Sequence, residues 1–278
     1  MKTTSLTIRS TVTLNNGVSM PLLGLGVYLM QPGRETYQAV KAALETGYRL
    51  VDTASMYRNE KDVGKAVSDS GVPRKEIFIT TKLWNSDHGY DSTLRAFDAS
   101  LKRLGFDTVD LYLIHFPVPD KRKESWRALE AILESGRARA IGVSNYTEPH
   151  LKELLGHASV VPAINQVEFS PFLYQRDLLK FCRKQGIQVE AYAPLTAGLK
   201  LRDARITAIA QKHGRTNAQV LLRWAVQHEV IVIPKSRQAG RIRENAGIFD
   251  FMLTGKEVSA LDGLHEGFRS SWNPTAVP

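Results

Sequence analysis

Residues 22–29 read LLGLGVYL, and the spacing of the glycines in that run decides between two architectures. An open dinucleotide-binding sheet carries G-x-G-x-x-G at its first turn, because the third glycine lets the following helix pack close to the strand. Here Gly24 and Gly26 supply the first two glycines, but Leu29 occupies the third position. No G-x-x-x-x-G-K-[ST] run occurs either, which excludes a nucleoside-triphosphate loop. For a chain that alternates short β-rich runs with helical stretches, the closed parallel barrel is then favoured.

After LLGLGVY (22–28), seven further β-rich runs follow: YRLVDTA (48–54), IFITTKL (77–83), VDLYLIH (109–115), RAIGVSN (139–145), INQVEFS (164–170), IQVEAYA (187–193) and VIVIPKS (230–236). The stretches between them carry helical period. Leu94, Phe97, Leu101 and Leu104 recur at steps of three and four, as do Trp126, Leu129 and Leu133. Gly136 in SGRA and Gly186 in KQGI mark helix ends, where a missing Cβ permits the left-handed conformation. Strands that each return through a crossover helix are parallel. The expected class is therefore α/β, a (β/α)8 TIM barrel forming a single domain over residues 1–278. Ahead of it, Asn16-Gly17 in TVTLNNGVSMPLL predicts a two-residue hairpin turn, and this N-terminal β-hairpin is expected to close the bottom of the barrel.

The chain carries 37 Lys+Arg against 28 Asp+Glu, a formal charge of +9. Such a balance would suit an anionic partner. The cations are nevertheless interleaved with acids, with no block of about five or six like charges, which is the pattern of a solvated surface. No nucleic-acid partner is expected. Cys182 is the only cysteine, which excludes an intramolecular disulfide and a Cys-rich metal site. Beside Leu178 and Phe181 it reads as a small buried hydrophobe. No apolar run approaches the roughly 18 residues of a membrane span. The start MKTTSLTIRSTVTL also lacks the compact apolar block of a signal peptide, so a cytoplasmic protein without membrane association is expected.

The strands are most informative where they stop being apolar. Asp52 ends YRLVD, Lys82 ends IFITTK, His115 ends DLYLIH, Ser144 and Asn145 end IGVSN, and Lys235 with Ser236 end VIVIPKS. A carboxylate at a strand tip is costly without a partner. In a parallel barrel all strand C-termini meet at one face, where barrel enzymes work, so Asp52 is expected to find Lys82 across the mouth. Taken singly, such a pair also reads as a stabilising ion bridge, and Tyr57 as packing at a helix start. His115 differs from the other histidines because it terminates an apolar strand, whereas His88, His150, His157, His213, His228 and His265 lie in polar, loop-like or helix-end surroundings. No second histidine stands at a strand tip, H-x-H and H-E-x-x-H are absent, and Lys82 would repel a cation, so no metal is expected.

From about residue 12 to 265 the chain resembles the aldo-keto reductases, through LLGLGVY, DTASMYRNEKDVGKAV, KLW, DLYLIHFP, GVSNY, NQVEFSP, AYAPL and IPKS followed by RIRENAGIFDF. The likeness is to the branch of prostaglandin F synthase and 2,5-diketo-gluconate reductase. It implies a (β/α)8 barrel that reduces aldehydes and ketones with NAD(P)H, and a catalytic tetrad of Asp52, Tyr57, Lys82 and His115. It also assigns the nicotinamide end of a cofactor site to Ser144, Asn145, Gln166 and Tyr192. Gly26, Val27, Tyr28, Asp52, Pro194 and Leu195 fall around it, and the adenosine end falls on Lys235, Ser236, Arg241, Glu244 and Asn245. Substrate-facing positions are Tyr28, Trp84, His115 and Phe116. Two departures stand out. Phe116 replaces the tryptophan of an LIHWP run, removing an indole N–H, and Ala193 replaces the serine of AYSPL, removing one phosphate contact.

These residue types suit carbonyl reduction. Hydride delivered to a carbonyl carbon leaves charge on oxygen, and Tyr57 is the expected proton donor. A free phenol has a pKa of about 10. Lys82 is expected to lower it, Asp52 to hold Lys82, and a neutral His115 to hydrogen-bond the substrate oxygen. Lys235 and Arg241 can face one phosphate, which favours NADP(H) over NAD(H). The segments PVPDKRKES and PLTAGLKLRD and the tail SSWNPTAVP are short, predicting an open pocket with broad specificity. A monomer acting on a small-molecule carbonyl is expected. The alternative is a non-catalytic NADPH-binding member of the fold, such as a regulatory subunit or crystallin, against which the complete tetrad argues.

Overall fold

The structure, a computed structural model, describes residues 6–278; residues 1–5, part of the span assigned to the single domain, lie outside the described residues. A hairpin of β1 (Thr11–Thr13) and β2 (Ser19–Pro21) comes first, then β3 (Leu25–Gly26) and α1 (Arg34–Thr46). The alternation continues through β4 (Leu50–Asp52), α2 (Glu60–Ser68), β5 (Phe78–Leu83), α3 (Tyr90–Leu104), β6 (Val109–Ile114), α4 (Arg122–Glu134), β7 (Ala138–Ser144) and α5 (Glu148–Leu155). It closes with β8 (Ile164–Glu168), α6 (Arg176–Lys184), β9 (Gln188–Tyr192), α7 (Ala204–His213), α8 (Asn217–Gln227), β10 (Ile231–Val232), α9 (Ala239–Ala246) and α10 (Gly255–Asp262).

β3 to β10 form one eight-stranded parallel sheet in sequence order. Parallel bridges Leu23–Val232 and Gly26–Lys235 join its first and last strands and close the barrel. The predicted runs 22–28, 48–54 and 230–236 each keep only two or three paired strand residues, and the first and last strands meet at these isolated bridges. Closure also explains Gly26. A Cβ there would lie 2.8 Å from the Ile233 carbonyl oxygen, so a side chain would push apart the strands that Gly26 N–H joins by donating to Pro234 O. Every residue of β5 and β6 is buried, as expected of strands packed against side chains inside the barrel and helices outside. Phe97, Leu101 and Leu104 form the buried face of α3, and Gly105 stops that helix with φ 72°. Gly136 and Gly186 take φ 73° and 70° after α4 and α6, as their placement predicts.

The hairpin turn differs from the expectation. Leu14 N donates to Val18 O and Gly17 N to Leu14 O, so the loop is the three residues Asn15, Asn16 and Gly17, with Gly17 at φ 84°. The extra residue puts the left-handed conformation on Gly17 alone, where no Cβ opposes it. Asn15 Nδ2 donates to Pro162 O at 3.0 Å and Asn16 Nδ2 to Arg139 O at 2.9 Å. Both acceptors lie where β7 and β8 enter the barrel, so the hairpin covers the bottom and leaves the opposite mouth to the strand tips.

Candidate active site

Three consecutive strand tips supply the polar centre. Lys82 Nζ donates to Asp52 Oδ1 at 2.7 Å, to Thr53 O at 2.9 Å and to Tyr57 Oη at 3.3 Å. All three ammonium hydrogens therefore have acceptors, the condition under which a wholly buried lysine is tolerable. Tyr57 ends a short 3-10 turn (Ser55–Tyr57), which Ser55 Oγ pins to β5 by donating to Lys82 O at 3.0 Å. The remaining oxygen of Asp52 accepts from Gln166 Nε2 at 2.7 Å, and that amide gives its other hydrogen to Glu190 Oε2 at 2.8 Å. His115 stands edge-on to Tyr57, their ring centroids 5.5 Å apart. The strand-tip carboxylate of Asp52 thus finds its cation, and phenol and imidazole share the same mouth.

Burial sets the protonation states. The Tyr57 phenol is raised well above its ordinary value, chiefly by burial and then by the Asp52 carboxylate. This corrects the expectation that Lys82 lowers it: the ammonium is already offset by a carboxylate 2.7 Å away, so desolvation wins. Tyr57 consequently keeps its proton until negative charge grows beside it. His115 is held well below the usual imidazole range by burial and then by Lys82, so it is neutral as expected. Burial raises the Asp52 carboxyl, while Lys82 and Gln166 act against that.

These groups open into a cavity of about 760 Å³ that runs from Tyr28, Tyr57 and His115 past Gln166 to Lys235 and Arg241. Every cofactor position assigned from the sequence lines it except Val27. Val27 is buried, and only its backbone acts: its N–H donates to Asp52 O and its carbonyl accepts from Asn59 Nδ2. Asn145 lines the cavity with its amide already engaged, Nδ2 donating to His115 O and Ser144 Oγ, and Oδ1 accepting from Tyr192 Oη at 2.7 Å. Lys235 and Arg241 have no carboxylate partner within salt-bridge distance among the described residues, and Arg241 sits in the first turn of α9. A long cleft with free cations at one end and an amide carbonyl at the other matches a dinucleotide with phosphate and carboxamide groups.

The substrate end holds a residue the sequence reading missed. Trp272, from the tail, packs 5.4 Å from the His115 ring, 5.9 Å from Trp84, 6.0 Å from Tyr28 and 6.1 Å from Phe116. Glu168 anchors its approach, accepting from both N and Oγ of Ser270 at 2.6 Å. The short tail therefore contributes an aromatic side chain to the lining of the cavity. An indole isolated in a polar tail was the available signal. Trp84 and Phe116 meet this aromatic cluster, and Tyr28 and His115 line the cavity directly.

The Aldo/keto reductase family model matches residues 23–266. The chain belongs to the Aldo/keto reductase family. It is 51% identical to glyoxal reductase of Bacillus subtilis (strain 168) over 267 residues, 96% of this chain and 97% of that protein. An aldo-keto reductase from a Medee basin deep-sea metagenome superposes with TM-score 0.93 at 44% identity, covering 97% of this chain and 100% of that one. The Bombyx mori aldo-keto reductase solved in complex with NADP superposes with TM-score 0.89 at 36% identity, covering 94% of each chain. This aldo-keto reductase is an oxidoreductase of carbonyl compounds, and the non-catalytic alternative is set aside.

Proposed function

We propose that this enzyme reduces small aldehydes and ketones, prefers NADPH to NADH, and protonates the product oxygen from Tyr57. The observation that carries the reading is the hydrogen-bonded chain Asp52–Lys82–Tyr57, ending beside His115 in the cavity that also holds Lys235 and Arg241. NADPH, when bound, would supply the hydride for the carbonyl carbon. His115, neutral, donates a hydrogen bond to the carbonyl oxygen and aligns it. As charge accumulates there, Tyr57 passes its proton to that oxygen, and Lys82 stabilises the phenolate left behind. Asp52 keeps Lys82 oriented. Lys235 and Arg241 would hold the 2′-phosphate that distinguishes NADPH, and Tyr192 would line the nicotinamide end.

Trp272, Trp84, Tyr28 and Phe116 form an apolar wall that excludes water and accepts compact carbonyls. The likeness to a glyoxal reductase supports dicarbonyls among them. The same reading takes residues 1–278 as one barrel domain and the enzyme as a monomer. Its only cysteine, buried and free, suits the reducing cytoplasm. A panel of aldehydes and ketones run with NADPH and with NADH tests the proposal. Equal kcat/KM with the two cofactors rejects the phosphate assignment, and no oxidation of NADPH by any carbonyl rejects the site.

A further inference from the structure

Glu190 carries a buried carboxyl group that the chemistry above does not use. It lies on β9 opposite Gln166 of β8, wholly buried, with Oε2 accepting from Gln166 Nε2 at 2.8 Å. Gln166 Nε2 has only two hydrogens, and the second goes to Asp52 Oδ2 at 2.7 Å. Two acceptors from different strands therefore fix the plane of the amide as well as its direction. A flipped amide would turn its carbonyl oxygen against two carboxyl groups. In the observed orientation that oxygen is the polar atom Gln166 has left for the cavity it lines.

We propose that Glu190 is a positioning residue: with Asp52 it holds the carbonyl oxygen of Gln166 toward the cavity, where it accepts an N–H from the carboxamide of the nicotinamide ring. This rests on the cofactor placement proposed above. An apolar residue at 190 would leave one Gln166 N–H buried without an acceptor, and the amide would lose its preferred face. The arrangement is also responsive to pH. Glu190 faces Asp52 from β4, Tyr57 from the turn after β4 and Lys82 from β5. Burial, with Asp52 adding to it and Gln166 and Lys82 opposing, raises its carboxyl to about 8. Above that pH the site gains a negative charge, which favours the oxidised nicotinamide because only that ring is positively charged.

Binding of NADPH and NADP+ by fluorescence titration tests this in Glu190→Leu, Glu190→Gln and Gln166→Leu. Glu190→Leu is expected to weaken NADPH binding about tenfold, and Glu190→Gln, whose amide oxygen still accepts, to recover it to within about threefold. In the wild type, NADP+ affinity relative to NADPH rises as pH crosses about 8, and in Glu190→Gln the ratio stays flat. The proposal is overturned if Glu190→Leu binds like wild type, if Glu190→Gln binds as poorly as Glu190→Leu, or if Glu190→Gln keeps the pH response. Should Glu190→Leu fail to fold, the pH response of Glu190→Gln decides alone. Unchanged binding in Gln166→Leu sinks the nicotinamide placement itself, whereas weakened binding there with no effect at Glu190 rejects only the positioning role.

Discussion

Lys82→Met removes the ammonium and keeps much of the apolar stem. In the structure Nζ stands 3.3 Å from Tyr57 Oη. A full phenolate charge at that distance is stabilised by about 5 kcal/mol at an effective dielectric of about 20. If half the charge has developed at the transition state, about 2.5 kcal/mol is lost; kcat then falls between about 70-fold and about 5,000-fold. Single-turnover oxidation of NADPH by a simple aldehyde reads the chemical step directly. Stability falls as well, because Asp52 keeps only the Gln166 amide, and breaking such a buried pair costs about 3–5 kcal/mol. The sign with pH follows from Asp52, whose carboxyl is already raised and rises further without its cation. The penalty is absent below the unfolded carboxylate value and grows as pH rises, so the variant's deficit in urea midpoint should be smaller near about pH 5 than near about pH 8. A folded, NADPH-binding Lys82→Met with kcat within about threefold of wild type would refute the idea that this ammonium stabilises the phenolate.

Tyr57→Phe should bind NADPH as tightly as wild type while turnover falls by about 10²–10⁴; substantial residual reduction would remove Tyr57 from the acid's role. Trp272→Ala should raise KM for aromatic aldehydes about tenfold, the worth of a lost aromatic contact. Glyoxal should be little affected, and steady-state kinetics on both substrates distinguishes a wall from a mere surface residue. Burial lowers His88 from 6.5 to about 4. Its stabilising contribution is therefore complete above about pH 6.5 and diminishes as pH falls, by about 2 kcal/mol at pH 5. His88→Asn should lose correspondingly less stability between pH 7 and pH 5 in denaturant titrations; an unchanged acid limb counts against the assignment.

The strands and their polar tips were legible because short β-rich runs recur between helical stretches, and Asp52, Lys82 and His115 end such runs as they leave the barrel. Local pattern also placed the helix-ending glycines. Other features needed the fold. The turn at Asn15–Gly17 gained a residue through the pairing of Leu14 with Val18, which no dipeptide signal specifies. Glu190 sits in a short alternating run, and nothing in IQVEAY says which face looks into the barrel. Trp272 lies in a polar tail without period, brought to His115 by the chain's return and the grip of Glu168 on Ser270.

What the sequence by itself determined was which chemical groups stand at the strand tips and, through parallel closure, that they share one face. Tertiary structure decided how they act on one another. Tyr57 holds its proton because desolvation outweighs a lysine already matched by Asp52, and that balance depends on distances of a few ångströms between residues far apart in the chain.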